Sequence, residues 1–182
     1  DGRYLRHAEQ ILDACGGTIV ESQGLYSPLS FLTPPTPPQD AQLPTTAARV
    51  FADIGWLAMR ANLLEPNNDI RFMMRCSPYG SVSHSHADQN SFSIEAFGEP
   101  LAVPSGLYNL YGSAHHHGWT RQTKAHCAVT FDGAGQIVRS EQATGQFVAF
   151  HADDRLAFAT GDASSAYGGL VSSYRRSVLF LD

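Results

Sequence analysis

Residues 81–90, SVSHSHADQN, place His84, His86 and Asp88 two positions apart. In extended backbone such side chains share one face, so the three would converge on one side of a strand; on a helix His86 would turn away. That convergence fits two chemistries. A metal would take two imidazoles and a third ligand from Asp88 or His126. Acid/base catalysis would use one imidazole to move a proton while its neighbour or Asp88 fixes the tautomer. A third possibility carries no chemistry: His86 and Asp88 satisfy backbone groups at a strand end and His84 is merely exposed. Histidine is concentrated here, since His84, His86, His115, His116, His117 and His126 make six of the chain's eight.

Residues 107–126, LYNLYGSAHHHGWTRQTKAH, combine flat apolar faces with positive charge: Tyr108, Tyr111, Trp119, Arg121 and Lys124. Aromatic rings stack on sugar faces and guanidinium forks pair with carboxylates, so the set suits an acidic carbohydrate. The competing reading is a long surface loop, broken at Gly112 and Gly118, whose aromatics pin it to a sheet.

These residues need a frame. Residues 3–15 carry Leu5, Ala8, Ile11, Leu12 and Cys15 at helical spacing, with Gly16 and Gly17 as the stop. The prolines of residues 28–44 remove backbone donors and fix φ too often for helix or sheet, which predicts a connector. From about residue 48 the period becomes two. Ile70, Phe72, Met74 and Cys76 alternate with Arg71, Met73 and Arg75, and Phe92, Ile94 and Ala96 repeat the pattern. Further strand-like runs are HCAVTFDG, GQFVAFHA, RLAFATGDA and RRSVLFLD. The expected fold is mainly β, a layered antiparallel sandwich. Its expected divisions are a helical region over 1–27, a Pro-rich connector over 28–47 and a β-sandwich domain over 48–182.

Composition narrows the partners. With 182 residues, 43% hydrophobic and 16% charged, the chain is a globular domain or a piece of one. A net charge of −5 argues against nucleic acid, and the absence of an 18-residue apolar run argues against a membrane span. Cys15, Cys76 and Cys127 have no CxxC spacing and read as buried small residues. The compartment is not legible. The first residue is not Met and the last residues are strand-like, which suggests a segment of a longer protein.

The HxHxD spacing resembles the HxHxDH signature of metallo-β-lactamase-like proteins, but Gln89 stands where the last His belongs. A broader resemblance is carried by SPYGSVSHSHADQNSFSIEAFGEPLAVPSGLY, by HHHGWTRQTKAHCAVTFDGAGQ and by LPTTAARVFADIGWLAMRANL. These blocks resemble, in order, the β-sheet part of the heparinase II/III-like polysaccharide lyases, most of all the oligoalginate lyase branch. The likeness covers roughly residues 44–140 and fades beyond them.

The resemblance implies a longer enzyme, with an α/α toroid before the sheet domain and residues 3–15 as its last helix. The implied reaction is β-elimination on a uronate-containing oligosaccharide: a base takes the C5 proton beside the carboxylate and an acid protonates the departing O4. His84 matches the catalytic histidine, and the partner Tyr comes from the toroid. His86 and His126 match two zinc ligands of zinc-containing members. The intervening Asp ligand, at the eighteenth position after His86, is Pro104 here, followed by Ser105. That loss predicts no tightly bound zinc, with His86, Asp88 and His126 orienting His84 by hydrogen bonds instead. Tyr79, Tyr111, His116, Trp119 and Arg121 would form sugar subsites, and the domain alone would be weakly active or inactive. Two alternatives stay open: a carbohydrate-binding β-module without its own chemistry, and a metal-dependent hydrolase using His84, His86 and His126.

Overall fold

Alternation of large apolar and polar side chains dictates the strands. The computed structural model describes residues 47–63, 65–108 and 110–181. Five strands, β1 (Ala47–Phe51), β2 (Trp56–Arg60), β3 (Ile70–Arg75), β4 (Ser91–Ala96) and β5 (Glu99–Ala102), pair in sequence order as one antiparallel sheet. A second antiparallel sheet contains β6 (Gln146–Ala152), β7 (Leu156–Asp162) and β8 (Arg175–Leu181). The mainly β, antiparallel sandwich expected from the sequence is the observed fold. The helix expected at 3–15 and the connector expected from residue 28 lie outside the described residues.

The two sheets share one core. Leu57 and Met59 of β2 and Phe72 and Met74 of β3 are buried with Ala157 and Ala159 of β7, flanked by Phe92, Ile94, Val178 and Phe180. Burying each of the large side chains contributes about 1.5–3 kcal/mol. Their outward neighbours Trp56, Ala58, Arg71, Met73 and Arg75 therefore populate the opposite face of the first sheet. Cys76 is buried at the end of β3, and burial pushes its thiol up to about 12, so it packs and does not react. Cys127 is half-buried, and Cys15 lies outside the described residues.

One expected strand is absent. HCAVTFDG, residues 126–133, forms only an isolated bridge between Phe131 and Ala134. The Val129 carbonyl accepts from the Tyr167 hydroxyl at 2.5 Å, and Val129 and Phe131 pack on Tyr167 and Tyr174 in a second, smaller core. An alternating pattern reports a half-buried extended segment, and here a side chain supplies the partner a ladder would have given.

The hairpin joining β1 to β2 is fastened to the end of β3. Cys76 N–H donates to the Gly55 carbonyl at 2.8 Å. Gly55 has φ +70°, and a Cβ there would lie 2.2 Å from Ser77 Cα and 2.4 Å from the Cys76 carbonyl oxygen. Gly55→Ala is therefore expected to lower stability by about 2 kcal/mol or more. An unchanged urea midpoint would show that the contact yields.

Candidate functional site

Residues 76–90 leave β3 and return as β4, and they do not run extended. Ser85 N–H donates to the Val82 carbonyl at 2.9 Å, closing a turn in which Ser83 has φ +52°. A left-handed residue without a glycine is a strained conformation that neighbours must hold in place. The turn sends the three residues of the HxHxD spacing in different directions. His84 is exposed, with its ring centroid 4.9 Å from that of Tyr111. His86 is half-buried, 5.2 Å from His126 and 6.3 Å from His116 between centroids. Asp88 pairs with Arg75 of β3, which also reaches Ser85 Oγ at 3.3 Å. The convergence on one strand face is thereby corrected. Among the described residues His84 has no hydrogen bond from His86, Asp88 or His126; its packing partner is Tyr111.

A buried polar network holds this loop. The Gln89 amide oxygen accepts from Ser77 N–H at 2.7 Å, and its nitrogen donates to the Ser77 and Ala143 carbonyls at 3.1 Å. Gln89 and Gln136 bond reciprocally, Gln89 N–H to Gln136 Oε1 at 2.8 Å and Gln136 Nε2 to the Gln89 carbonyl at 2.7 Å. Gln89 is thus a fully used structural residue where the other signature would require a ligand. Arg121 is only 1% exposed, and its Nη2 donates to the Ser81 and Ser85 carbonyls at 3.0 and 2.9 Å. It was expected to fork a sugar carboxylate; instead it braces the turn that carries His84.

The aromatic stretch folds as a short wide turn. His116–Thr120 closes with Arg121 N–H on the His116 carbonyl at 3.1 Å, the π-helical pattern that recurs at functional sites. His116 is fully buried, 4.2 Å from Tyr108 and 4.7 Å from Tyr111 between ring centroids. Its Nδ1 accepts from Gly112 N–H at 2.8 Å, so the neutral ring carries its proton on Nε2. Burial removes His116 from direct sugar contact. Trp119 is 40% exposed, donates Nε1–H to Ser105 Oγ at 2.7 Å and carries Lys124 Nζ 5.5 Å above its ring. Tyr111 is half-exposed beside His84.

A cleft of about 550 Å³ opens at this end of the first sheet, lined by Trp56, Arg75, Tyr79, His84, His86 and Asp88 among others. That volume falls in the range of about 300–1,000 Å³ usual for small-ligand sites. Of the proposed sugar-subsite residues, Tyr79 lines it, whereas Tyr111, His116, Trp119 and Arg121 do not. Sequence reasoning missed Trp56, Arg75 and Arg139. The exposed Arg139 guanidinium sits on the His117 ring at 3.1 and 3.3 Å, next to Ser140, which is bonded to Ser81. The one available signal was period two: it places Trp56 and Arg75 on the face opposite the core, and no spacing rule reaches Arg139.

Burial and positive neighbours keep two imidazoles neutral. The His86 pKa is lowered by burial first, then by His126, against which Asp88 works. That of His116 is lowered by burial first, then by Arg121 and His117. Depressed histidines contribute no acid penalty above the ordinary value of 6.5. Below it the unfolded chain takes up the proton first, so stability falls as pH drops from there toward the folded values. Imidazole nitrogen shifts are expected to show His86 titrating below the ordinary value of 6.5, and urea midpoints to fall as the pH drops below it. A His86 midpoint at or above the ordinary value contradicts this.

The residues present do not fit a tightly held zinc. Among the described residues no three of His, Cys, Asp and Glu stand close enough to hold a metal. His126 Nε2 bonds the Thr120 carbonyl at 3.0 Å, leaving Nδ1 as its only lone pair, and Asp88 is committed to Arg75. Ser105 N–H donates to the Ala125 carbonyl at 2.8 Å, so Pro104 lies in the segment running beside His126 and brings no ligating atom. No helix among the described residues is long and apolar enough to cross a membrane.

Residues 43–182 match the family described as "Heparinase II/III-like, C-terminal". The chain belongs to the heparinase II/III-like family. No curated protein matches it. Among solved structures it is similar to heparan sulfate lyase HepC from Pedobacter heparinus, at 18% identity and TM-score 0.64, over 100% of this chain and 26% of that one. It is also similar to a heparinase III gene product, at 21% identity and TM-score 0.63, over 79% of this chain and 22% of that one. A further heparinase III matches at 16% identity and TM-score 0.60, over 78% and 21%. At such identities the likeness concerns the fold, and the chain spans about a quarter of the length of the structures it matches. The family's C-terminal β-domain is thus the sandwich described above.

Proposed function

We propose that this heparinase II/III-like chain is the β-sheet half of a polysaccharide lyase that cleaves uronate-containing oligosaccharide by β-elimination. His84 moves the proton. The observation that carries this reading is the placement of His84: an exposed imidazole on a strained, braced turn, at the mouth of a cleft, with Tyr111 against its ring. A proton-transfer group needs reach as well as rigidity, and the turn supplies both. His86, held neutral, lines the cleft beside it without adding charge. The full-length protein supplies the remaining half, an N-terminal toroid with a Tyr that protonates the departing oxygen.

An alginate-like substrate is the finer reading. Arg75 is the one Lys or Arg among the described residues that lines the cleft, and its guanidinium is neutralised by Asp88. One carboxylate per sugar suits this better than a densely sulfated chain, which calls for gathered positive charge. The test follows ultraviolet absorbance of unsaturated uronate as the full-length protein meets alginate or heparan sulfate oligosaccharides. Rising absorbance with alginate supports the reading, with heparan sulfate alone it overturns the substrate class, and binding without product favours a carbohydrate-binding module.

A further inference from the structure

We propose that Trp56 is the sugar-stacking platform of the cleft, holding the pyranose ring whose C5 proton His84 removes. The inference rests on the lyase reading for the identity of the sugar, but its geometry is independent of the reaction. Leu57 and Met59 point into the core, so Trp56, one position before Leu57 and three before Met59, must point outward. There it pairs in register with Arg75, whose guanidinium is held by Asp88. The indole lines the same cleft as His84 and His86, is 38% exposed, and meets no other ring or cation among the described residues. Ile54 at 52% and Tyr79 at 61% exposure extend this apolar rim.

The rim is rigid because the hairpin bearing Ile54 and Trp56 is bonded through Gly55 to Cys76, the root of the His84 loop. The cleft therefore has two unlike walls. One is an indole with apolar flanks; the other is polar, with His84, His86 and Asp88. A pyranose ring has the same asymmetry, with axial C–H groups on its faces and hydroxyls and carboxylate at its edge. Stacking a face on Trp56 turns the edge toward His84. An indole is the largest flat face a protein can offer, and such contacts are sequence-tolerant but orientation-specific.

The experiment uses the full-length protein, with alginate and heparan sulfate tetrasaccharides as probes. Trp56→Leu keeps apolar bulk and removes the face; Trp56→Phe keeps a smaller face. KM is expected to rise about tenfold in W56L and about threefold in W56F, with kcat changed less than KM. Titration of the tetrasaccharide into H84A and into the H84A/W56L double variant reads binding without turnover, and the double variant is expected to bind about tenfold more weakly. Equal affinities for these two, with matching melting temperatures, overturn the platform even if elimination is confirmed. If no elimination is seen with either probe, the lyase reading fails, and the same titration still decides Trp56. Loss of kcat at unchanged KM in both variants also overturns it.

Discussion

His84→Ala in the full-length protein is expected to lower the rate of elimination by about a hundredfold to ten-thousandfold, the usual contribution of a positioned proton-transfer group. The effect should fall on kcat, because the removed imidazole acts on the C5 proton and does little to hold the sugar. Folding should be unaffected. His84 is exposed, and its ring packs on that of Tyr111 and not on the braces of the turn. Those braces are the Ser81 and Ser85 carbonyls, which face Arg121, and the Ala87 N–H on the Arg121 carbonyl. Product formation is read as absorbance of unsaturated uronate, and melting temperature is read in parallel. Unchanged kcat would remove His84 from the reaction and return the cleft to a binding role.

Arg121→Met should act in the opposite way, on stability first. The substitution keeps an apolar stem and deletes the guanidinium that binds Ser81 and Ser85. Two buried carbonyls then lose charge-assisted bonds, a loss of about 3 kcal/mol in total. Arg121→Lys should recover only part of this, since both bonds come from Nη2 at the far end of the guanidinium and the shorter lysine must bring its ammonium to the same point without the planar group's packing. Amide exchange should locate the damage: protection at residues 82–88 falls while β2, β3 and β7 remain protected until global unfolding. Elimination should weaken about tenfold or more, through a loosened His84. Equal melting temperature and unchanged protection in R121M would show that the turn stands without its brace.

The sheets were legible because their signal is local. Phe72, Met74 and Cys76 alternate with Arg71, Met73 and Arg75, and that pattern alone names β3 and its buried face. Where the sequence misled, the deciding contact was distant. Residues 126–133 alternate equally well, yet the Val129 carbonyl is taken by Tyr167, 38 positions later. The HxHxD spacing suggested one strand face, but a left-handed Ser83 and a guanidinium from residue 121 fold it into a turn. Arg121 itself shows the limit of residue-type reasoning: a guanidinium suited to a sugar carboxylate here gives one nitrogen, Nη2, to two backbone carbonyls. His116 is similar, an imidazole in a histidine-rich run that turns out to be packed among tyrosines. His84 and Tyr79 are on the cleft where the sequence placed candidate function, and Trp56 entered only when the hairpin was seen against the loop.

The network around Gln89 also has a meaning in time. Its bonds join partners far apart along the chain: 47 positions from Gln89 to Gln136, 56 from Ser81 to Ile137, 71 from Asn90 to Gly161 and 86 from Cys76 to Asp162. Local hairpins such as β1 with β2 can close early, whereas contacts of this span carry the entropy of large loops and slow the search. The His84 turn therefore carries the loop entropy of its braces on Arg121, 40 positions from Ser81 and 36 from Ser85. During synthesis the turn cannot be braced until residue 121 has been made, 36 positions after Ser85.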